Sequence, residues 1–129
     1  MAAYRPRGRS VSSRVSDREV DSETHVSELG GEFDLYTAPE FKARMAEAID
    51  KGKSRVVVVL SKVTFIDSTM LGMLIGGMKR LRPAGGSLEL IRSDQESIME
   101  IFETTGLDRF FPIHGTRDEA VVNVTRNDT

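Results

Sequence analysis

The segment Arg55-Val-Val-Val-Val-Leu60 constrains this chain more than any other, because it is apolar at consecutive positions after the arginine. Successive side chains of a strand point to opposite faces, so a strand with one wet face alternates, and one without alternation must be buried on both. Valine, branched at Cβ, favours the extended state over the helix. The run therefore predicts the central strand of a sheet with both faces covered. Spanning a bilayer takes roughly 20 apolar residues, and Val56 to Leu60 is the longest aliphatic run present. A soluble protein is expected.

Helix signals flank that strand. Upstream, Glu40 to Asp50 carries Phe41, Met45 and Ile49 at four-residue spacing, one face of a helix, with Thr37 as its N-cap and Gly52 as its stop. Downstream, Thr64-Phe-Ile-Asp-Ser-Thr69 runs into Met70 to Arg82, which ends before Pro83 and Gly85-Gly86, and this predicts a second helix. Ser87 to Ile91 reads as another strand. Gln95 to Thr104 reads as a third helix with Ile98, Ile101 and Phe102 inward, stopped by Gly106. Phe110 to His114 is expected to give a last short strand, and Arg117 to Val122 a final helical turn or two. From Val15 to Leu29 the alternation is weaker, with Val20, Val26 and Leu29 assigned to the inner faces of one or two short strands before Gly30-Gly31. Strands alternating with helices through short turns specify the α/β class, with a mostly parallel sheet and crossover helices.

With 129 residues, 39% hydrophobic and 29% charged, the chain has the size of one domain with one core. The domain is placed at residues 15–123. Residues 1–14, rich in Arg, Ser, Pro and Gly, read as a flexible basic tail because ordering them would bury little; residues 124–129 form a short C-terminal tail. A net charge of -2 and a pI near 5.7 supply no basic field for phosphate-backbone binding, so nucleic acid is not an expected partner. The N-terminal stretch has no apolar segment after its arginines, which favours the cytoplasm. Cysteine is absent, excluding disulfides and thiolate chemistry. His25 and His114, the two histidines, sit in a predicted strand and at a strand end, as surface or structural residues. No metal or cofactor motif, and neither the GxxxxGK[ST] nor the GxGxxG phosphate loop, occurs.

The remaining chemistry gathers at Asp67, Ser68 and Thr69. A strand delivering these residues into a helix sets the Ser68 hydroxyl near unpaired backbone N–H groups and the positive end of the helix dipole, where a phosphate is electrostatically tolerated. Phosphorylation adds about -1.5 to -2 charges at pH 7. The plainer reading of the same residues is an ordinary helix cap. Along the second helix, Met70, Leu71, Met73, Leu74, Ile75, Met78 and Leu81 cover more than one buried stripe. Either part of that surface faces a partner, with Gly72, Gly76 and Gly77 admitting another backbone, or sheet and helices cover it and the glycines serve internal packing. An enzyme would use Ser68 or Asp67 as nucleophile, which needs a positioned base, and nothing in the sequence places either histidine there.

Four segments together carry a resemblance: Gly31-Glu-Phe-Asp-Leu-Tyr-Thr-Ala-Pro39, Val63-Thr-Phe-Ile-Asp-Ser-Thr-Met-Leu-Gly-Met-Leu74, Ala84-Gly-Gly-Ser-Leu-Glu-Leu90 and Thr105-Gly-Leu-Asp-Arg-Phe-Phe-Pro112. Their order and spacing across roughly residues 24 to 122 resemble the anti-sigma-factor antagonist family of bacterial STAS domains. The resemblance implies a single STAS-like domain, with a mixed, mostly parallel β-sheet of roughly four to five strands backed by about four α-helices. It implies a serine after the aspartate, here Ser68, that a partner kinase phosphorylates. In that family the unphosphorylated antagonist binds an anti-sigma factor, often itself a serine kinase, and frees a sigma factor for transcription under stress; phosphorylation breaks the association. The family's Glu-x-Asp turn, here Glu32-Phe-Asp34, helps form the partner surface, whereas the residues alone also allow Asp34 to be an Asx-turn stabiliser. The partner-binding set expected on this basis is Asp34, Thr37, Asp67, Ser68, Thr69, Met70 and Met73, on a monomer or weak dimer without membrane contact. Met70 stands where the family usually carries glycine, so added bulk is expected beside the serine. The alternative is a STAS scaffold that binds a different protein without phosphorylation control.

Overall fold

The computed structural model describes residues 13–115. The elements run β1 (Ser13–Glu19), β2 (Thr24–Phe33), α1 (Ala38–Asp50), β3 (Arg55–Ile66), α2 (Ser68–Leu81), β4 (Ser87–Ile91), α3 (Glu96–Thr105) and β5 (Ile113–His114). One five-stranded sheet has the order β1-β2-β3-β4-β5. The β1–β2 pair is antiparallel, and the three other pairs are parallel.

The valine run lies in the middle strand, as its composition requires. Val56, Val58 and Leu60 join the main core under the helices, with Leu88 and Leu90 of β4, while Val57 and Val59 form a second small cluster with Val26 and Ile91 on the other face. Helix α1 lays Phe41, Met45 and Ala48 onto the sheet. Helix α2 contributes Met70, Leu74, Met78 and Leu81, and α3 contributes Ile98, Met99 and Phe102. Gly77 lets α1 and α2 approach: a Cβ there would come within 2.6 Å of Met45 Sδ. Gly106 stops α3 in the left-handed conformation, with φ of 79°, which glycine adopts without steric cost.

The structure departs from the sequence reading in several places. Strand β1 begins at Ser13, inside the segment read as a tail, because Ser13 and Arg14 pair with Gly31 and Gly30. Strand β3 continues past Leu60 to Ile66. Its pairing with β4 ends at Val59, so among the described residues the extension has β2 as its one paired strand up to Phe33↔Ile66; burial there is one-sided, and Lys62, Thr64 and Phe65 face solvent. That one-sidedness put polar residues into the strand and hid its end from periodicity. The last strand shrinks to Ile113–His114, while Phe111 packs edge-on against Phe102 with ring centroids 6.4 Å apart. Ile101 is only partly buried. Three α-helices occur among the described residues, against about four expected; the helical turn assigned to Arg117–Val122 lies outside them. His25 is buried against Asp17 (3.2 Å), which also accepts from Ser27 and from Arg44 of α1 (both 2.9 Å), and His114 contacts Glu89 at 2.8 Å. No helix among the described residues is long and apolar enough to cross a membrane.

Candidate functional site

Parallel pairing carries β2 and β3 to the same edge of the sheet, where β2 leads toward α1 and β3 leads into α2. At the β3 exit Ile66 is buried, and Asp67 takes an extended conformation (φ -123°, ψ -175°) as the N-cap of α2. Its Oδ1 accepts a hydrogen bond from the Met70 N–H at 3.1 Å, satisfying one of the unpaired donors of the first turn. Ser68 is therefore the first helical residue rather than the cap. It is exposed, and its hydroxyl has no hydrogen-bond partner among the described residues. Thr69 is half-buried.

Met70 corrects the sequence reading. Its side chain is 0% exposed and sits in the main core, because the third position of α2 turns toward the sheet. Buried in this way, it offers no exposed surface to a partner, and its bulk is taken up by the core.

The turn after β2 is built by Asp34 and Thr37. Asp34 Oδ1 accepts from the Tyr36 and Thr37 N–H groups (2.9 and 3.1 Å), making an Asx turn. Thr37 Oγ1 accepts from the Asp34 N–H at 2.9 Å and donates to the Glu32 carbonyl at 2.8 Å. Thr37 occupies the N-cap position of α1, yet its side chain makes no capping hydrogen bond to the helix; the hydroxyl closes the preceding turn instead. Asp34 and Thr37 thus shape the backbone between them. That backbone displays Leu35 and Tyr36, which are 59% and 80% exposed.

Asp67 joins the two halves. Its second oxygen, Oδ2, accepts from the Leu35 N–H at 3.1 Å, a link across the strand pair that brings the β2–α1 turn to the start of α2. Beyond it, Thr69 and Met73 line a groove between α1 and α2 of about 290 Å³, with Met45, Ile49, Gly72 and Gly76. A Cβ on Gly72 or Gly76 would meet nothing within 4 Å, unlike one on Gly77. The glycines of α2 therefore divide: Gly77 serves internal packing, and Gly72 and Gly76 leave an open surface. Of the residues expected at the site, Asp34, Thr37, Asp67, Ser68, Thr69 and Met73 lie on these two turns and the adjoining groove.

Sequence reasoning passed over Leu35, Tyr36 and Phe65, three large apolar side chains left exposed near the ends of β2 and β3. The available signal was an adjacent apolar pair inside a turn, Leu35-Tyr36 between Asp34 and Thr37, where neither strand nor helix periodicity assigns a face. Among the described residues no group of three or more His, Cys, Asp or Glu could hold a metal ion. An exposed hydroxyl at the start of a helix, with exposed apolar side chains nearby, is chemically suited to accept a modification and to be covered by a protein surface.

The family model described as STAS domain matches residues 16–120. An anti-sigma-B factor antagonist of Bacillus subtilis (strain 168) is 29% identical over 107 residues, covering 83% of this chain and 94% of that protein. The crystal structure of an anti-sigma factor antagonist from Mycobacterium paratuberculosis superposes with a TM-score of 0.79 at 25% identity, covering 88% of this chain and 95% of that one. The Bacillus cell fate determinant SpoIIAA in its phosphorylated form superposes with a TM-score of 0.71 at 25% identity, over 86% and 99% of the respective chains. The family model spans most of the chain and the fold agrees with it: the chain belongs to the STAS domain family.

Proposed function

We propose that this protein is an anti-sigma-factor antagonist working in the cytoplasm as a binding protein, not an enzyme. Unphosphorylated, it docks on an anti-sigma factor that is itself a serine kinase and so frees a sigma factor; phosphorylation of Ser68 ends the association. The observation that carries this reading is the exposed Ser68 hydroxyl at the first position of α2, without a hydrogen-bond partner among the described residues and tied through Asp67 to the exposed Leu35-Tyr36 turn. A dianionic group there meets the unpaired N–H groups of the first turn, so the fold tolerates it. A partner covering Leu35 and Tyr36 would have to desolvate about two negative charges next to the Asp67 carboxylate, and without a cation facing them the complex loses affinity. The names of the matched relatives, and the phosphorylated state of one of them, support the same assignment. The burial of Met70 is compatible with access of a kinase to the exposed Ser68.

The test combines the purified protein with candidate anti-sigma kinases and ATP. Mass spectrometry then locates any phosphate, and affinity is compared for wild type, Ser68→Ala and Ser68→Asp. Alanine should preserve binding and abolish phosphorylation, and aspartate should weaken binding. Equal affinity of all three variants would sink the switch.

A further inference from the structure

The two carboxylate oxygens of Asp67 do separate work. Oδ1 caps α2 through Met70 N–H, and Oδ2 holds Leu35 N–H, a residue from the other side of the site. Among the described residues this is the hydrogen bond that fastens the Leu35 backbone to α2; the Asp34 carboxylate holds Tyr36 and Thr37 from within the turn itself. A side chain that spans two elements in this way fixes their relative position, and it does so at the point where two exposed apolar side chains adjoin an exposed serine. We propose that Asp67 is a positioning residue of the docking surface: it sets the Leu35-Tyr36 turn against the α2 N-terminus, and acts on a partner through that turn rather than by direct contact. The inference rests on the docking role assigned to this surface.

Chemistry offers a selective probe. In Asp67→Asn one oxygen is replaced by an NH2 group that donates and cannot accept, so the side chain can satisfy Met70 N–H or Leu35 N–H but not both. The cap is the local, preorganised bond and asparagine is a good N-cap, so the helix should retain it while the Leu35 link is lost. In the full chain, amide hydrogen exchange of Leu35 should speed up about tenfold while that of Met70 changes little, as expected for loss of one hydrogen bond. This readout needs no partner, and unchanged Leu35 exchange would overturn the inference whatever the protein binds. With whichever anti-sigma kinase wild type binds, Asp67→Asn should lower affinity about tenfold, and Tyr36→Ala should cost less when combined with Asp67→Asn than in wild type. Additive effects would mean that Asp67 contacts the partner itself, and would refute positioning. Failure of wild type to bind any anti-sigma factor, with Leu35 exchange behaving as stated, would instead remove the docking assignment alone.

Discussion

Replacing Gly76 by alanine separates internal from external roles for the glycines of α2. Gly76 lies in the interior of a helix spanning Ser68–Leu81, where glycine costs about 1 kcal/mol relative to alanine through backbone entropy. The added Cβ would meet nothing within 4 Å, so no steric term opposes the gain. Gly76→Ala should stabilise the domain by about 0.8 to 1 kcal/mol, raising Tm by about 4 °C. One position along, Gly77→Ala carries the same propensity gain, but its Cβ would sit 2.6 Å from Met45 Sδ, 2.8 Å from Met45 Cε and 3.0 Å from Leu88 Cδ1. Displacing these costs about 1 to 3 kcal/mol by the usual range for overpacking, toward the low end because the methionine end is flexible. Gly77→Ala should therefore be neutral or destabilising by up to about 2 kcal/mol. Urea denaturation of both variants, analysed with a common m-value, reads the difference directly. If Gly76→Ala destabilised the protein, the groove between α1 and α2 would not be open and its assignment as outward surface would fail. Where a partner's backbone enters that groove, the same substitution should weaken binding while strengthening the fold.

Further expectations follow from burial and clearance. Met70→Leu, which nearly conserves volume, should cost less than about 1.5 kcal/mol, whereas Met70→Gly should cost about 3 to 6 kcal/mol from the lost core side chain and helix propensity together. Neither should alter partner affinity per folded molecule, measured by titration below the melting range; a loss of about tenfold with Met70→Leu would contradict its 0% exposure. Gly86→Ala drives a Cβ into the Ser54 carbonyl and to 3.2 Å from the Leu81 carbonyl, both backbone, so it should destabilise by about 2 kcal/mol or more. Thermal melting checks this, and a melting point equal to wild type would refute the clash.

The central strand, the three described helices and the α/β class were legible because they rest on local rules. Consecutive valines bury both faces, Phe41 and Met45 repeat at helical spacing, and Gly106 ends a helix by its own conformational freedom. Ser68 was legible as a serine entering a helix, and the four family segments raised it above an ordinary cap. By itself, then, the sequence determined the central valine strand, the three helices and the entry of Asp67 and Ser68 into α2, but not the start of β1, the far end of β3 or the length of β5. The tertiary structure alone decided where their side chains go. Met70 turns into the core because the third residue of α2 faces the sheet, not because methionine must. The extension of β3 past Leu60 rests on pairing with Gly30 to Phe33 of β2, a partner distant along the chain. Asp67 reaches Leu35 across a separation of 32 residues only because β2 and β3 pair in parallel and deliver both turns to one edge. Local periodicity reports which face of an element is apolar; which neighbour meets that face, and which apolar residues are left uncovered, is settled by packing between elements distant in sequence.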